Sequence, residues 1–123
     1  MTLAAAAALF AGTGCKHPGS AKLEGHWKGQ RAEGVGSDAL VAANVFAVGT
    51  EIVVKGNQIS ISTPSAKNVT ATYFVDKEEP TSVVIHTDKD ATSETFDFAD
   101  PKDPKTMAWK VDEKRSIVFK KID

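Results

Sequence analysis

The sequence predicts an all-β fold of about eight short antiparallel strands, and three observations carry that expectation. Beyond residue 50, apolar and polar residues alternate with period two, as a strand with one buried and one solvated face requires. Gly, Pro, Asn and Asp interrupt the alternation roughly every 8 to 12 positions, the rhythm of strands joined by tight turns. A length of 123 residues, 41% hydrophobic and 25% charged, suffices for one core and not for two. Consecutive strands of this kind hide their edges by stacking as two sheets or by closing into an up-and-down barrel.

Met1 to Gly14 carries no charge and holds an Ala-rich apolar run that ends in Gly12-Thr13-Gly14, directly before Cys15. The run is shorter than the roughly 20 residues of a membrane-spanning helix and has the dimensions of a signal peptide. Residues 1–14 are therefore read as a signal, 15–22 as a polar tether containing His17, Pro18 and Gly19, and 23–123 as the folded domain. The first strand is expected over Gly25 to Ala32, around Trp27, followed by the glycine-rich stretch Glu33 to Ser37. Leu40, Val41, Val45 and Val48 recur at helical spacing within Asp38 to Val48, with Ser37 or Asp38 placed to cap. Val, Asn and Phe are poor helix formers, so this segment is expected as a short helical or irregular flap.

Glu51 to Lys55 and Gln58 to Thr63 flank Gly56-Asn57, which suits a two-residue hairpin loop. Val69 to Asp76 puts Val69, Ala71, Tyr73 and Val75 on one side and Thr70 and Thr72 on the other, until Asp76 to Pro80 breaks it. Thr81 to Thr87, Ser93 to Ala99, Thr106 to Asp112 and Ser116 to Ile122 complete the series. If Tyr73 points inward, Phe74 points outward, and Val84 opposes Val83 and Ile85.

Charge selects no partner: 15 Lys and Arg against 16 Asp and Glu leave a net charge of −1, with neither a nucleic-acid footprint nor a polybasic membrane patch. Cys15 is the single cysteine, so no internal disulfide or thiolate metal cage is available. The three histidines lack paired spacing, and the acidic clusters lack the glycine and terminal glutamate of an EF-hand. No metal and no cofactor are expected, and the acids read as turn formers. His26 and His86 are the candidate bases, but no G-x-S-x-G elbow accompanies them, and a non-enzymatic role is expected. What remains is aromatic: Trp27, Phe46, Tyr73, Phe96, Phe98 and Trp109 are the candidate ligand-cavity residues, with Phe46 on the flap. The competing reading is that they fill the core.

The small residues before Cys15 resemble the lipobox of bacterial lipoproteins. That resemblance implies cleavage before Cys15, acylation of its sulfur and new N-terminus with chains such as palmitate, and membrane anchorage through it. Lys16 rather than Asp after the cysteine implies an outer-membrane position facing the periplasm. The Gly25-His26-Trp27 motif on the first strand, followed by a meander, resembles the lipocalin and wider calycin superfamily. So do Thr72 to Asp76, Pro80 to Ile85, Thr106 to Trp109 and Ile117 to Lys120, which look like small bacterial lipocalin-like lipoproteins. This implies a small antiparallel up-and-down barrel whose closed end holds Trp27 under a cation from the end of the chain, either Arg115, Lys120 or Lys121. It also implies binding of a small apolar or amphipathic ligand. The alternative is a structural or protein-interaction module of the cell envelope, using outward Phe74 to hold an envelope protein.

Overall fold

The structure is a computed structural model and describes residues 19–98, 100, 102 and 104–122. The segment expected as a signal, Cys15 and His17 lie outside the described residues. Eight strands form one closed antiparallel barrel in chain order: β1 (Gly25–Glu33), β2 (Glu51–Lys55), β3 (Gln58–Ser62), β4 (Val69–Glu79), β5 (Ser82–Thr87), β6 (Asp90–Asp97), β7 (Thr106–Lys110) and β8 (Ser116–Lys121). One helix, α1 (Leu40–Val48), follows β1. The barrel closes where β8 pairs with β1, with Phe119 opposite Gly29 and Ile117 opposite Ala32. Of the two ways to hide strand edges, closure is the one adopted.

Register aligns the inward residues of neighbouring strands. Ile52 faces Ile61 across β2 and β3, Ile59 faces Ala71 across β3 and β4, Val83 faces Phe96 across β5 and β6, and Trp109 faces Ile117 across β7 and β8. Directly opposed residues share a face of the sheet, so these pairs stack as layers inside the barrel. The lower layers are filled: Trp27, Tyr73, Phe96, Phe98, Met107 and Phe119 are all buried. Trp27 meets Phe98 edge-on at 6.1 Å between centroids, a favoured aromatic geometry.

The N-terminal approach to β1 closes this end, here called the base. The backbone N–H groups of Leu23 and Glu24 donate to the Ser20 carbonyl at 3.1 and 3.2 Å, forming a turn that drives Leu23 into the core. The Trp27 indole N–H donates to the Leu23 carbonyl at 2.8 Å. Ser20, in the segment expected as tether, is itself buried.

Several expected boundaries shift for identifiable reasons. The stretch Asp76 to Glu79, expected as a break, continues β4: a bulge at Asp76 lets Lys77, Glu78 and Glu79 pair with Val84, Val83 and Ser82. The turn shrinks to Pro80-Thr81. β6 begins at Asp90 rather than Ser93 because Asp90 pairs with Thr87 across a two-residue turn. The expected Gly56-Asn57 hairpin is present, with Gly56 at φ 60°, a left-handed conformation that glycine adopts without a Cβ penalty. Helix α1 starts from Ala39, with no side-chain cap from Ser37 or Asp38.

Candidate functional site

Above the filled base the barrel interior is not packed shut. A cavity of about 180 Å³ opens at the mouth, floored by Ile59, Ile61, Ala71 and Trp109 and walled by Thr87, Thr92 and Glu94. Its geometry follows from strand parity. On β6, Phe96 and Glu94 point to the barrel interior, because alternate side chains share a face and Phe96 is fixed in the core, while Thr92 and Asp90 border the opening from exposed positions. An inward face that is apolar at the base thus becomes polar toward the mouth. Val69 lines the same opening from the start of β4, and Lys89 and Asp90 stand at its rim.

Trp109 forms the cavity's inner wall. Its ring stacks on Phe96 at 6.3 Å and tilts against Phe119 at 6.5 Å, which fixes its plane. Its indole N–H donates to Oε1 of Glu94 at 2.9 Å, holding that half-buried carboxylate against the cavity. At the rim, Asp90 accepts the backbone N–H of Thr92 at 2.9 Å, and this bond holds its carboxyl below the ordinary aspartate range.

A second apolar cavity, about 240 Å³, lies where α1 meets β1 and β8, lined by Ala32, Val35, Ala43, Phe46, Val111 and Ile117 with Arg115 at its edge. Helix α1 is fastened to the barrel at three points. The Asn44 side-chain oxygen accepts the Ala32 N–H at 2.8 Å, the Thr50 carbonyl accepts the Gly29 N–H at 2.9 Å, and Lys28 Nζ donates to the Val48 carbonyl at 3.2 Å. Gly29 has no side chain because the Ala47 carbonyl occupies that space. Only Ala47 of the helix is fully buried. Val41 and Val45, two of the apolar residues at helical spacing, are 78% and 67% exposed and face outward.

The six aromatic candidates therefore separate. Trp109 lines the lumen cavity and Phe46 the cavity beneath α1, whereas Trp27, Tyr73, Phe96 and Phe98 are buried in the base and line neither. Glu94 escaped sequence reading, although it shares the parity of Phe96.

At the base, Lys121 places its ammonium 5.7 Å from the Trp27 ring centroid. Of Arg115, Lys120 and Lys121, it is Lys121 that covers the tryptophan. Arg115 instead pairs with Asp112, 2.6 Å from Nη2 and 2.7 Å from Nε. That guanidinium, helped by two backbone N–H donors, lowers the Asp112 carboxyl to about 2.

The two candidate bases sit apart on the outer surface. His26 shares a 2.7 Å hydrogen bond with Glu51, which holds that carboxyl below its ordinary value. His86 bonds Asp76 at 2.7 Å and stacks on outward-facing Phe74 at 5.1 Å. Among the described residues no group of three His, Cys, Asp or Glu side chains is gathered to hold a metal ion. No protein-family model matches the chain, and neither a curated protein nor a solved structure matches it.

Proposed function

We propose that this protein is a lipocalin-like envelope lipoprotein whose barrel mouth binds a small amphipathic molecule, taking its apolar part into the lumen. The observation that carries the reading is the cavity bounded by Ile59, Ile61, Ala71 and Trp109 above a filled base. Its volume of about 180 Å³ is comparable to apolar cavities of about 150 Å³ that accept benzene. The ligand part that enters is accordingly one ring or a chain of about six carbons. The closed barrel, the Gly25-His26-Trp27 motif and Lys121 above Trp27 support the lipocalin-like assignment. The lipobox-like residues before Cys15 support acylation there and an outer-membrane position facing the periplasm. Two acyl chains give stable attachment at about 0.8 kcal/mol per buried methylene.

The test of binding is a titration of 15N-labelled protein with 1-hexanol. Saturable movement of the Trp109 indole signal, with the Trp27 indole signal unmoved, is the expected result. The absence of any saturable shift up to about 10 mM with hexanol and with its amine and carboxylate analogues would remove the proposal. Anchorage is tested separately by metabolic labelling with a clickable palmitate analogue, which Cys15→Ser should abolish.

A second reading, an interaction module for an envelope protein, is favoured by one observation: α1 exposes Val41 and Val45, and Phe74 lies 48% exposed on β4. Exposed apolar side chains about one helical turn apart, as Val41 and Val45 are, mark contact surfaces. In-cell photocrosslinking from position 45 that yields no discrete adduct would count against it.

A further inference from the structure

We infer that the lumen cavity selects a ligand with a cationic head, an amine-bearing amphiphile rather than a fatty acid or a neutral alcohol. This inference rests on the binding reading above and names the chemistry that reading leaves open.

Glu94 is the reason. It points to the barrel interior in parity with Phe96, is half-buried, and lines the cavity beside apolar Ile59, Ile61 and Ala71. Its one hydrogen bond among the described residues comes from the Trp109 indole. It forms no ion pair there, unlike Glu51, Glu78 and Glu79, which each face a lysine or histidine. A carboxylate facing an apolar cavity bears a desolvation cost that a bound cation offsets. The other charges facing the opening are Lys89 and Asp90 at the exposed rim, so the cavity as a whole carries one excess negative charge.

Trp109 adds the second element. Its stacking on Phe96 and its tilt against Phe119 leave the ring a fixed apolar wall of the cavity. An ammonium at Glu94 would meet the carboxylate, while its alkyl or aryl part lies on Ile59, Ile61, Ala71 and the Trp109 ring. The indole bond also fixes the carboxylate in place, so little ordering is required on binding. An anionic head would meet Glu94 instead and be repelled.

Three probes of matched size test this: hexylammonium, 1-hexanol and hexanoate, titrated at low ionic strength and followed by the indole signal of Trp109. The expected order is hexylammonium tighter than hexanol by about fivefold to tenfold, with hexanoate weakest. The advantage should shrink in 0.5 M NaCl, where the screening length is only a few Å. Glu94→Gln keeps an oxygen to accept the indole N–H, so it preserves the wall while removing the charge. It should bring hexylammonium to the level of hexanol and leave hexanol unchanged. Equal binding of hexanol and hexylammonium, tighter binding of hexanoate, or an ammonium preference that survives Glu94→Gln each overturns the inference while the binding reading stands. Failure of all three probes, hexanol included, removes the binding reading and this inference together.

Discussion

Tyr73 is the only tyrosine in the chain and ties the N-terminal turn to the barrel base. It is 1% exposed, and its hydroxyl accepts the Ser20 N–H at 2.8 Å while donating to the Gly56 carbonyl at 2.9 Å. Tyr73→Phe removes that oxygen and little else. The two bonds lost are not equivalent. Gly56 lies in an exposed turn, where water replaces the donor at almost no cost. Ser20 is only 2% exposed, so its N–H is left buried without an acceptor, which costs roughly 1–3 kcal/mol. The expected loss is therefore about 2 kcal/mol. With a urea slope on the order of 1.5 kcal/mol/M for a domain of this size, the unfolding midpoint should fall by about 1.3 M with the slope unchanged.

The same residue gives a pH test. Burial, the dominant cause, pushes the Tyr73 phenol above its ordinary 10.0. A folded value above the unfolded one means that the neutral phenol's contribution is intact below about pH 10 and is lost as pH rises through the folded value. Absorbance at 295 nm reports this phenol alone. The native midpoint should lie above 10, and in strong urea it should return to about 10. A midpoint shift below about 0.2 M urea for Tyr73→Phe, or a native phenol titrating at 10 or lower, would refute the reasoning that the N-terminal turn is locked to the base through this hydroxyl.

Three further outcomes follow from the geometry. Gly29→Ala sets a methyl group against the backbone carbonyl of Ala47, so denaturant unfolding should show a loss of about 1–3 kcal/mol, and an unchanged midpoint would mean that α1 does not rest on β1. Lys121→Met keeps the aliphatic stem but removes the cation 5.7 Å from the Trp27 centroid; a loss of about 0.5–1 kcal/mol is expected, largely restored by Lys121→Arg. The Asp112 carboxyl should titrate near 2 by carbonyl-detected NMR, against an ordinary 3.8, and move upward in Arg115→Gln. Because its folded value is depressed, its contribution is present above about pH 3.8 and lost as pH falls through about 2. A value near 3.8 in the unmodified protein would contradict the Arg115 contact.

Much of the barrel was legible because its signals are local. Period-two alternation marked Ile59 and Ile61, and Ala71 and Tyr73, as inward pairs. Glycine tolerance of left-handed backbone fixed the Gly56-Asn57 hairpin, and Asp112 marked the turn before β8 by accepting backbone N–H groups of Lys114 and Arg115. The parity argument correctly turned Phe74 to the outside. The site was less legible. Six aromatics were candidates for one cavity, but an aromatic strand residue reads the same whether it fills a core or lines a pocket. Depth along the barrel decides between these, and depth depends on register with neighbouring strands.

The segment Asp38 to Val48 shows the same limit. Helical spacing of Leu40, Val41, Val45 and Val48 pointed to a short helix but not to its buried face: Ala43 and Ala47 meet the core, while Val41 and Val45 face away. Gly29 lets the Ala47 carbonyl lie where a Cβ would stand, so the end of the helix rests directly on β1.

The sequence by itself determined that this chain makes short antiparallel strands, where most of them begin and turn, and which face of each is apolar, since all of these depend on residues within a few positions of one another. Tertiary structure alone decided that β8 closes onto β1, that Lys121 rather than Arg115 or Lys120 covers Trp27, and that Glu94 meets Trp109 at an open lumen. Those facts depend on stagger between strands distant in sequence, which sets which side chains share a level of the barrel and therefore where packing ends and space remains.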